Sequence, residues 1–385
     1  MIYLDNQATT PCDPRVMEAM LPWFTERFGN PHGTEHRMGR DSAGAAERAR
    51  SDVAALLGAD AREIVFTSGA TESNNLAIRG SALQALAAGD ARRRVVTVAT
   101  EHPCVLQTVR DLRPLGFEPV ILPVGSDGLL DPASLRDALA VPTLLVSIMG
   151  VNNETGVIQD LAELAPIVRA AGALLHSDLA QAAGRIPLGG LDLDLASLSA
   201  HKIYGPKGVG ALYVRRRPRV RLQPLFSGGG QERGLRSGTL PTPLLVGFGI
   251  ASVLAEAERE ADAARIGALR DRLFDLLAAR FPGLALNGSR ARRIAGNLNL
   301  RFPGHMARAL MDGAPELCVS TGSACSSADL APSHVLTAMG LDAAQAATSL
   351  RLTVGRFTSP SDIDRAAAML GDASGLSVQG PPCLP

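Results

Sequence analysis

Residues 143–181 read TLLVSIMGVNNETGVIQDLAELAPIVRAAGALLHSDLAQ. The stretch opens on an apolar run (143–149) and passes through the polar cluster Gly150, Val151, Asn152, Asn153, Glu154. A helix-like segment follows over 160–171, then a second apolar run (173–176), and then Ser177, Asp178 and Gln181. Continuous rather than alternating apolar runs are what strands buried on both faces require. A strand–helix–strand succession is the repeating unit of a parallel sheet. Outward from this stretch the rhythm continues at 63–67 (EIVFT), 95–99 (VVTVA), 195–198 (LASL) and 209–214 (VGALYV). The pattern predicts an α/β fold with a doubly wound, mostly parallel sheet flanked by helices.

From about Leu254 the texture changes. Residues 265–280 read as an amphipathic helix, with Ile266, Leu269, Leu273, Leu276 and Leu277 at helical spacing. A shorter strand-rich region and a cysteine-containing loop follow, which predicts a second, smaller α+β domain.

Composition narrows the function classes. The chain has 385 residues, with 38 Lys plus Arg against 38 Asp plus Glu, so its net charge is zero. A direct nucleic-acid footprint needs a basic surface, and this balance argues against one. An apolar content of 46% excludes intrinsic disorder. No apolar stretch approaches the ~18 residues of a membrane span, and MIYLDNQATT has no basic segment leading into an apolar one. A soluble, cytoplasmic protein is expected. The five cysteines (Cys12, Cys104, Cys318, Cys325, Cys383) are odd in number and lack C-x-x-C spacing, so neither a zinc site nor a disulfide framework follows.

Five of the apolar runs release a polar cluster at their carboxyl ends, the edge where ligands bind in an open α/β sheet. Each cluster has a bland reading and a functional one. SGATESNN (68–75) is a tight turn capped by Thr71, or a phosphate cradle at a helix N-terminus. His102, after 95–99, is a core histidine, a proton carrier or a residue stacked on a flat ligand. Asp178 is a helix cap, or a buried carboxylate that fixes a protonated ring nitrogen. Lys202 is a surface charge, or an amine desolvated beside His201, Tyr204, Gly205 and Pro206 for Schiff-base chemistry. Taken together, the clusters supply a phosphate site, a ring stacker, an acid for a ring nitrogen, a donor for a ring hydroxyl (Gln181) and a lysine amine. Pyridoxal 5'-phosphate asks for that set.

At this point the chain resembles a known family, the cysteine desulfurases of the iron–sulfur-cluster and nitrogenase-maturation type, within the fold-type I pyridoxal-phosphate enzymes. The likeness runs from Tyr3 (YLDNQATTP) to about Asp364. It rests on SGATESNN (68–75), TEH (100–102), VNNETG (151–156), HSDLAQ (176–181), SAHKIYGPKGVGALY (199–213), GGGQERGLRSGTLP (228–241), STGSACSS (320–327), SHVL (333–336) and SLRLTVGRFT (349–358). The resemblance implies a seven-stranded sheet in a large cofactor domain over 14–253. It also implies a small domain built from 1–13 and 254–385, carrying a catalytic-cysteine loop at about 318–332.

By the same resemblance, Lys202 would carry the cofactor, Asp178 would pair with the pyridine nitrogen and His102 would stack on the ring. Gln181 would bond the ring hydroxyl, with Asn153 beside it and near the substrate. Ala70, Thr71, Ser199 and His201 would hold the phosphate. Thr239 would complete the phosphate site of the neighbouring subunit, which implies a homodimer. Arg351 would bind the substrate carboxylate. Residues 349–354 alternate, placing Leu350, Leu352 and Val354 on one face and Ser349, Arg351 and Thr353 on the other. From the residues alone, Arg351 is either an exposed strand charge or a fork for a carboxylate.

Cys325 lies in STGSACSS, with no large apolar neighbour to anchor a core cysteine, and Gly, Ser and Ala favour an accessible loop. The residues alone leave a reactive thiol and an inert one open; the family match makes Cys325 the nucleophile. Cys318 and Cys104 are read as packing residues, and Cys12 and Cys383 lack functional context. The implied reaction takes sulfur from L-cysteine, giving L-alanine and a persulfide on Cys325. That sulfur would pass to an acceptor such as an iron–sulfur scaffold protein. No resident metal is expected, although the Cys325 thiolate could transiently ligate a cluster. An aminotransferase, a selenocysteine lyase and a non-catalytic subunit are the competing readings. The sulfur could serve iron–sulfur clusters, nitrogenase, tRNA thiolation or DNA modification.

Overall fold

The structure, a computed structural model, describes residues 1–321 and 332–375. In chain order the described strands are β1 (Ile2–Tyr3), β2 (Ile64–Thr67), β3 (Arg94–Val98), β4 (Glu118–Leu122), β5 (Thr143–Ser147), β6 (Leu174–Asp178), β7 (Leu195–Ser199), β8 (Gly210–Val214), β9 (Ala285–Leu286), β10 (Asn297–Arg301), β11 (Leu317–Cys318) and β12 (Ser349–Thr353). Seven of them form one sheet in the order β2-β8-β7-β6-β5-β3-β4. Only β8 runs antiparallel to its neighbours, β2 and β7; the other pairs are parallel. Every residue of β2, β5 and β7 is buried, which is why β2 and β5 are largely apolar without alternation, while β7 also buries Ser197 and Ser199.

Between β5 and β6 lies the helix Leu161–Ala170, where Asp160 accepts from the Glu163 amide as its cap. Strand β6 runs further than its apolar stretch, to Asp178, because its polar residues are satisfied inside the sheet. Ser177 Oγ donates to the Ile148 carbonyl at 2.7 Å. Edge strand β4 has no counterpart among the expected strands. Its sequence EPVIL contains Pro119, which only an edge position tolerates, and it is partly exposed.

The change of texture near Leu254 is a change of packing partner on one continuous helix, Thr242–Ala278. Leu245, Phe248, Ala251 and Ala255 bury into the core beneath the seven-stranded sheet. Leu269, Leu273 and Leu277 bury into a separate core with Ile2 and Leu4, Leu298 and Leu300 of β10, Leu350 and Leu352 of β12, and Leu370. Here β9, β10 and β12 form an antiparallel sheet, and β1 pairs with β11, bringing the first residues of the chain beside residues 317–318.

One buried ion pair anchors the strand that leads into the site. Arg50 donates to Glu232 at 2.6 and 2.7 Å, and Glu232 also accepts from the Phe66 amide of β2 at 2.7 Å. The two side chains are 4% and 1% exposed. Replacing Glu232 by Ala leaves a buried guanidinium without its main partner, which costs about 3–5 kcal/mol. A lowered urea midpoint is expected for that variant, and an unchanged midpoint would contradict this role for the pair.

Candidate active site

The carboxyl ends of β2, β3, β5, β6 and β7 open into one cavity, which Arg351 of β12 and residues 7–9 close from the other side. Asp178, the last residue of β6, is buried. Its Oδ1 accepts from the Ala180 amide at 2.9 Å and its Oδ2 from Asn74 Nδ2 at 2.7 Å. One oxygen therefore serves a local turn, as a bland reading allows. The other is held by the fully buried Asn74, which is not itself part of the cavity lining.

Lys202 ends the short turn Ala200–Lys202 that follows β7 directly. Its Nζ donates to the carbonyls of Gln7 at 2.6 Å and Ala8 at 2.8 Å. The next turn is locked to the same N-terminal segment. Thr10 Oγ1 donates to the His201 carbonyl at 3.0 Å and accepts from the Tyr204 amide at 2.9 Å. Tyr204 sits in the left-handed region (φ 66°), a costly conformation held by these contacts.

His102 caps the helix Pro103–Arg110, with Nδ1 accepting from the Cys104 amide at 3.2 Å. Burial lowers its pKa, against the opposing pull of the Asp178 charge. Burial, followed by the charges of Lys202, Lys207 and Arg185, brings His201 down to about 4, so it is neutral near pH 7. His201 Nδ1 lies 3.0 Å from Thr9 Oγ1. Gln181 donates to the Gln7 carbonyl at 2.8 Å and accepts from Arg185 at 2.6 Å.

The phosphate-cradle segment opens the helix Ala70–Ala87. The N-cap is Gly69 (φ 154°), which brings no side chain to cap the helix, and a Cβ there would point into open space. A Cβ on Gly210 of β8 would lie 2.6 Å from Gly69 Cα, so two glycines let the loop lie flat on the sheet. A helix N-terminus of this kind favours an anion. Ala70, Thr71, Ser199 and His201 line the same cavity.

Arg351 is 2% exposed, which excludes the exposed-strand reading. Its Nη1 donates to the Asn153 carbonyl and its Nη2 to Asp5 Oδ1, both at 2.7 Å. Its Nε and the side-chain oxygen of Asn153 are buried with no partner among the described residues. Thr239 is exposed and lines no part of this cavity. Cys325 lies outside the described residues.

Sequence reasoning missed several residues that the fold brings here. Gln7 and Ala8 enter through backbone carbonyls, which carry no side-chain signature. Asn74 stood inside a quoted motif but without a role. His334 lines the cavity and its Nε2 lies 2.9 Å from the Glu101 carbonyl. Cys104, read as packing, does pack against an apolar cluster, yet it also lines the cavity. Glu101 is fully buried, and burial together with the Asp178 charge pushes its pKa well above the usual carboxylate range.

Residues 2–366 match the family model described as aminotransferase class-V. The cysteine desulfurase IscS of Rickettsia akari (strain Hartford) is 51% identical over 371 residues, spanning 96% of this chain and 90% of the relative. The chain belongs to the cysteine desulfurase branch of the class-V aminotransferase family. Among solved structures, a NifS-like protein superposes with a TM-score of 0.89 at 34% identity, covering 98% of this chain and 100% of that one. SspA in complex with cysteine gives 0.81 at 35% identity, covering 93% and 100%.

Pyridoxal phosphate is the cofactor of this family, and the cavity fits it. A buried carboxylate, Asp178, stands at one wall and an uncapped helix N-terminus at another. The side-chain oxygen of Asn153 is buried with no partner among the described residues. Lys202 would anchor the cofactor, Asp178 would face its ring nitrogen, and Gly69–Thr71 with His201 would receive its phosphate. As for membranes, no helix among the described residues is long and apolar enough to cross one.

Proposed function

We propose that this protein takes sulfur from L-cysteine, giving L-alanine and a persulfide on Cys325 that is passed to an acceptor protein. The observation that carries this reading is the convergence of Lys202, Asp178, His102 and Arg351 on one cavity, with the described flanks of the Cys325 segment at its edge. Ser320 exchanges backbone hydrogen bonds with Arg351, at 2.7 and 3.3 Å, and His334 lines the cavity wall. The cysteine held by the related SspA structure supports the choice of substrate.

Bound pyridoxal phosphate supplies an electron sink for charge developing at the substrate Cα. The chain's own residues do the rest. Asp178 keeps a proton at the ring nitrogen, and Asn74 holds that carboxylate in place. Arg351, fixed by Asp5 and Asn153, presents its Nε–H to the substrate carboxylate. Lys202 Nζ moves the Cα proton, and the carbonyls of Gln7 and Ala8 receive the amine when it is not covalently engaged. The Cys325 thiolate attacks the substrate sulfur. The C–S bond breaks with its electron pair going to carbon, which is then protonated to alanine, and sulfur stays on Cys325. The step is redox-neutral overall; a reductant is needed only to release sulfide from the persulfide.

We read the two cores as the expected domains, 14–253 against 1–13 with 254–385, and the long helix Thr242–Ala278 as the element that crosses the boundary. A cytoplasmic homodimer in which Thr239 reaches the neighbouring phosphate site accounts for its exposure on the single chain. An iron–sulfur scaffold protein is the proposed acceptor.

The test is to incubate the cofactor-loaded protein with L-cysteine and a thiol reductant and to measure alanine and sulfide. Equal amounts of both are expected; no alanine would overturn the reading. Arg351→Lys keeps the charge but loses the planar fork. Losing one charge-assisted hydrogen bond should lower kcat/KM about 10- to 100-fold, mainly through KM. An unchanged KM would remove Arg351 from the carboxylate site.

A further inference from the structure

Two side chains that the mechanism leaves unused, or uses only in part, line up between Asp178 and His102: Asn74 and Cys104. Asn74 is fully buried on the helix Ala70–Ala87. Its Nδ2 donates to Asp178 Oδ2 at 2.7 Å and to Cys104 Sγ at 3.2 Å. An amide nitrogen has two protons, and both are thereby used. The opposite amide orientation would set its oxygen against a carboxylate, so the assignment follows from charge. Cys104 Sγ in turn lies 3.0 Å from His102 Nδ1.

The direction of that last contact is also decided. The Cys104 backbone N–H can only donate, and it donates to His102 Nδ1 at 3.2 Å. Nδ1 therefore carries no proton, and the contact from Sγ must be an S–H donating to it. The thiol keeps its proton at neutral pH, since burial, helped by the Asp178 charge, pushes its pKa up to about 12. Asp178 then accepts from Asn74, Cys104 accepts from Asn74 and also meets the Thr71 side chain, and His102 accepts from Cys104, while Asn74 Oδ1 is buried with no partner among the described residues.

We infer that Asn74 and Cys104 form a hydrogen-bond relay that holds His102 with its proton on Nε2 and in register with Asp178, making Cys104 a positioning residue for the desulfurase reaction. The inference rests on the function proposed above for its consequence, but not for its geometry. The relay ties the group on one face of the cofactor ring to the group at its nitrogen, so that the two cannot drift independently. It also presents Nε2–H, the only proton neutral His102 has to give.

The groups facing His102 are Asp178, Lys202 and His334, with Glu101 beside it in the chain and Cys104 on its Nδ1 side. Only the last contact changes in the test. The holoenzyme is labelled with 15N-histidine, and the His102 signals are assigned by their loss in His102→Gln. In the unsubstituted protein Nδ1 should resonate as an unprotonated ring nitrogen and Nε2 as a protonated one. In Cys104→Ala the loss of a donor to the neutral ring should raise the His102 titration midpoint by about half to one pH unit. The acid limb of kcat/KM should move up with it. Cys104→Ser, which keeps an O–H donor, should restore the original midpoint. A proton on Nδ1 in the unsubstituted protein would overturn the relay, and this reading needs no variant to fold. Equal midpoints for Cys104→Ala, Cys104→Ser and the parent would overturn it as well. Absence of alanine formation in the parent would instead sink the function and leave the tautomer result standing.

Discussion

Replacing Lys202 by Ala is expected to abolish the yellow absorbance of covalently bound cofactor and to lower alanine formation by at least about 10²- to 10⁴-fold. Both effects follow from a single amine. Nζ would carry the cofactor at rest and, once released, would move the substrate Cα proton. The structure shows how the amine is kept in reach, because Gln7 and Ala8 turn two backbone carbonyls toward it at 2.6 and 2.8 Å. The same contacts raise a competing explanation, that Lys202 merely ties the N-terminal segment to β7. Lys202→Arg separates the two. It keeps a cation and several donors for those carbonyls but cannot form the covalent link. Loss of the absorbance in both variants, with thermal midpoints near the parent's, supports the chemical role. A normal absorbance from Lys202→Ala would contradict the assignment, and full activity in Lys202→Arg would reduce Lys202 to a tether.

The sheet and most of the cavity were legible in the chain because they depend on short-range pattern. Strands buried on both faces must be apolar throughout, and polar residues at their ends must face whatever lies past the sheet edge. Thr71, His102, Asn153, Asp178 and Lys202, each past the end of an apolar run, all line the one cavity. The parts that were not legible are long-range or lack a side-chain signature. Gln7 reaches Lys202 and Gln181 through its backbone carbonyl, and Asp5 reaches Arg351 from the opposite end of the chain. Nothing local to 5–10 announces this. Strand β4 was hidden by Pro119, which reads as a breaker unless the strand is known to lie at an edge. The amphipathic pattern over 265–280 reveals only the last part of the helix Thr242–Ala278, because Leu245, Phe248 and Ala251 face a different core from Leu269, Leu273 and Leu277, and one amphipathic stripe does not run its full length. Arg351 illustrates the limit of alternation. The period of two separates the faces of β12 correctly, but it cannot say that the polar face is buried too, against Asp5 and Asn153.

Replacing Cys325 by Ser should abolish sulfide release while leaving the cofactor absorbance intact, which separates sulfur transfer from cofactor binding. The thiolate is the only group in the proposal that forms a bond to the substrate sulfur. A serine hydroxyl at neutral pH is almost entirely protonated, and oxygen is a far poorer acceptor of sulfur. Three of the other cysteines cannot easily substitute. Cys12 and Cys104 are held protonated by burial, Cys104 with its pKa pushed up to about 12. Cys318 is half-buried in β11, paired with β1. Cys104 is the informative rival, since it alone among these three lines the cavity. If Cys325→Ser retained sulfide release and Cys104→Ser lost it, the nucleophile would have to be reassigned to Cys104. The opposite pair of outcomes is expected, because a thiol engaged between Asn74 and His102 is a donor to its neighbour and not a free thiolate. Mass analysis after one turnover completes the argument. A persulfide should be found on the Cys325 peptide in the parent protein and on no cysteine in Cys325→Ser.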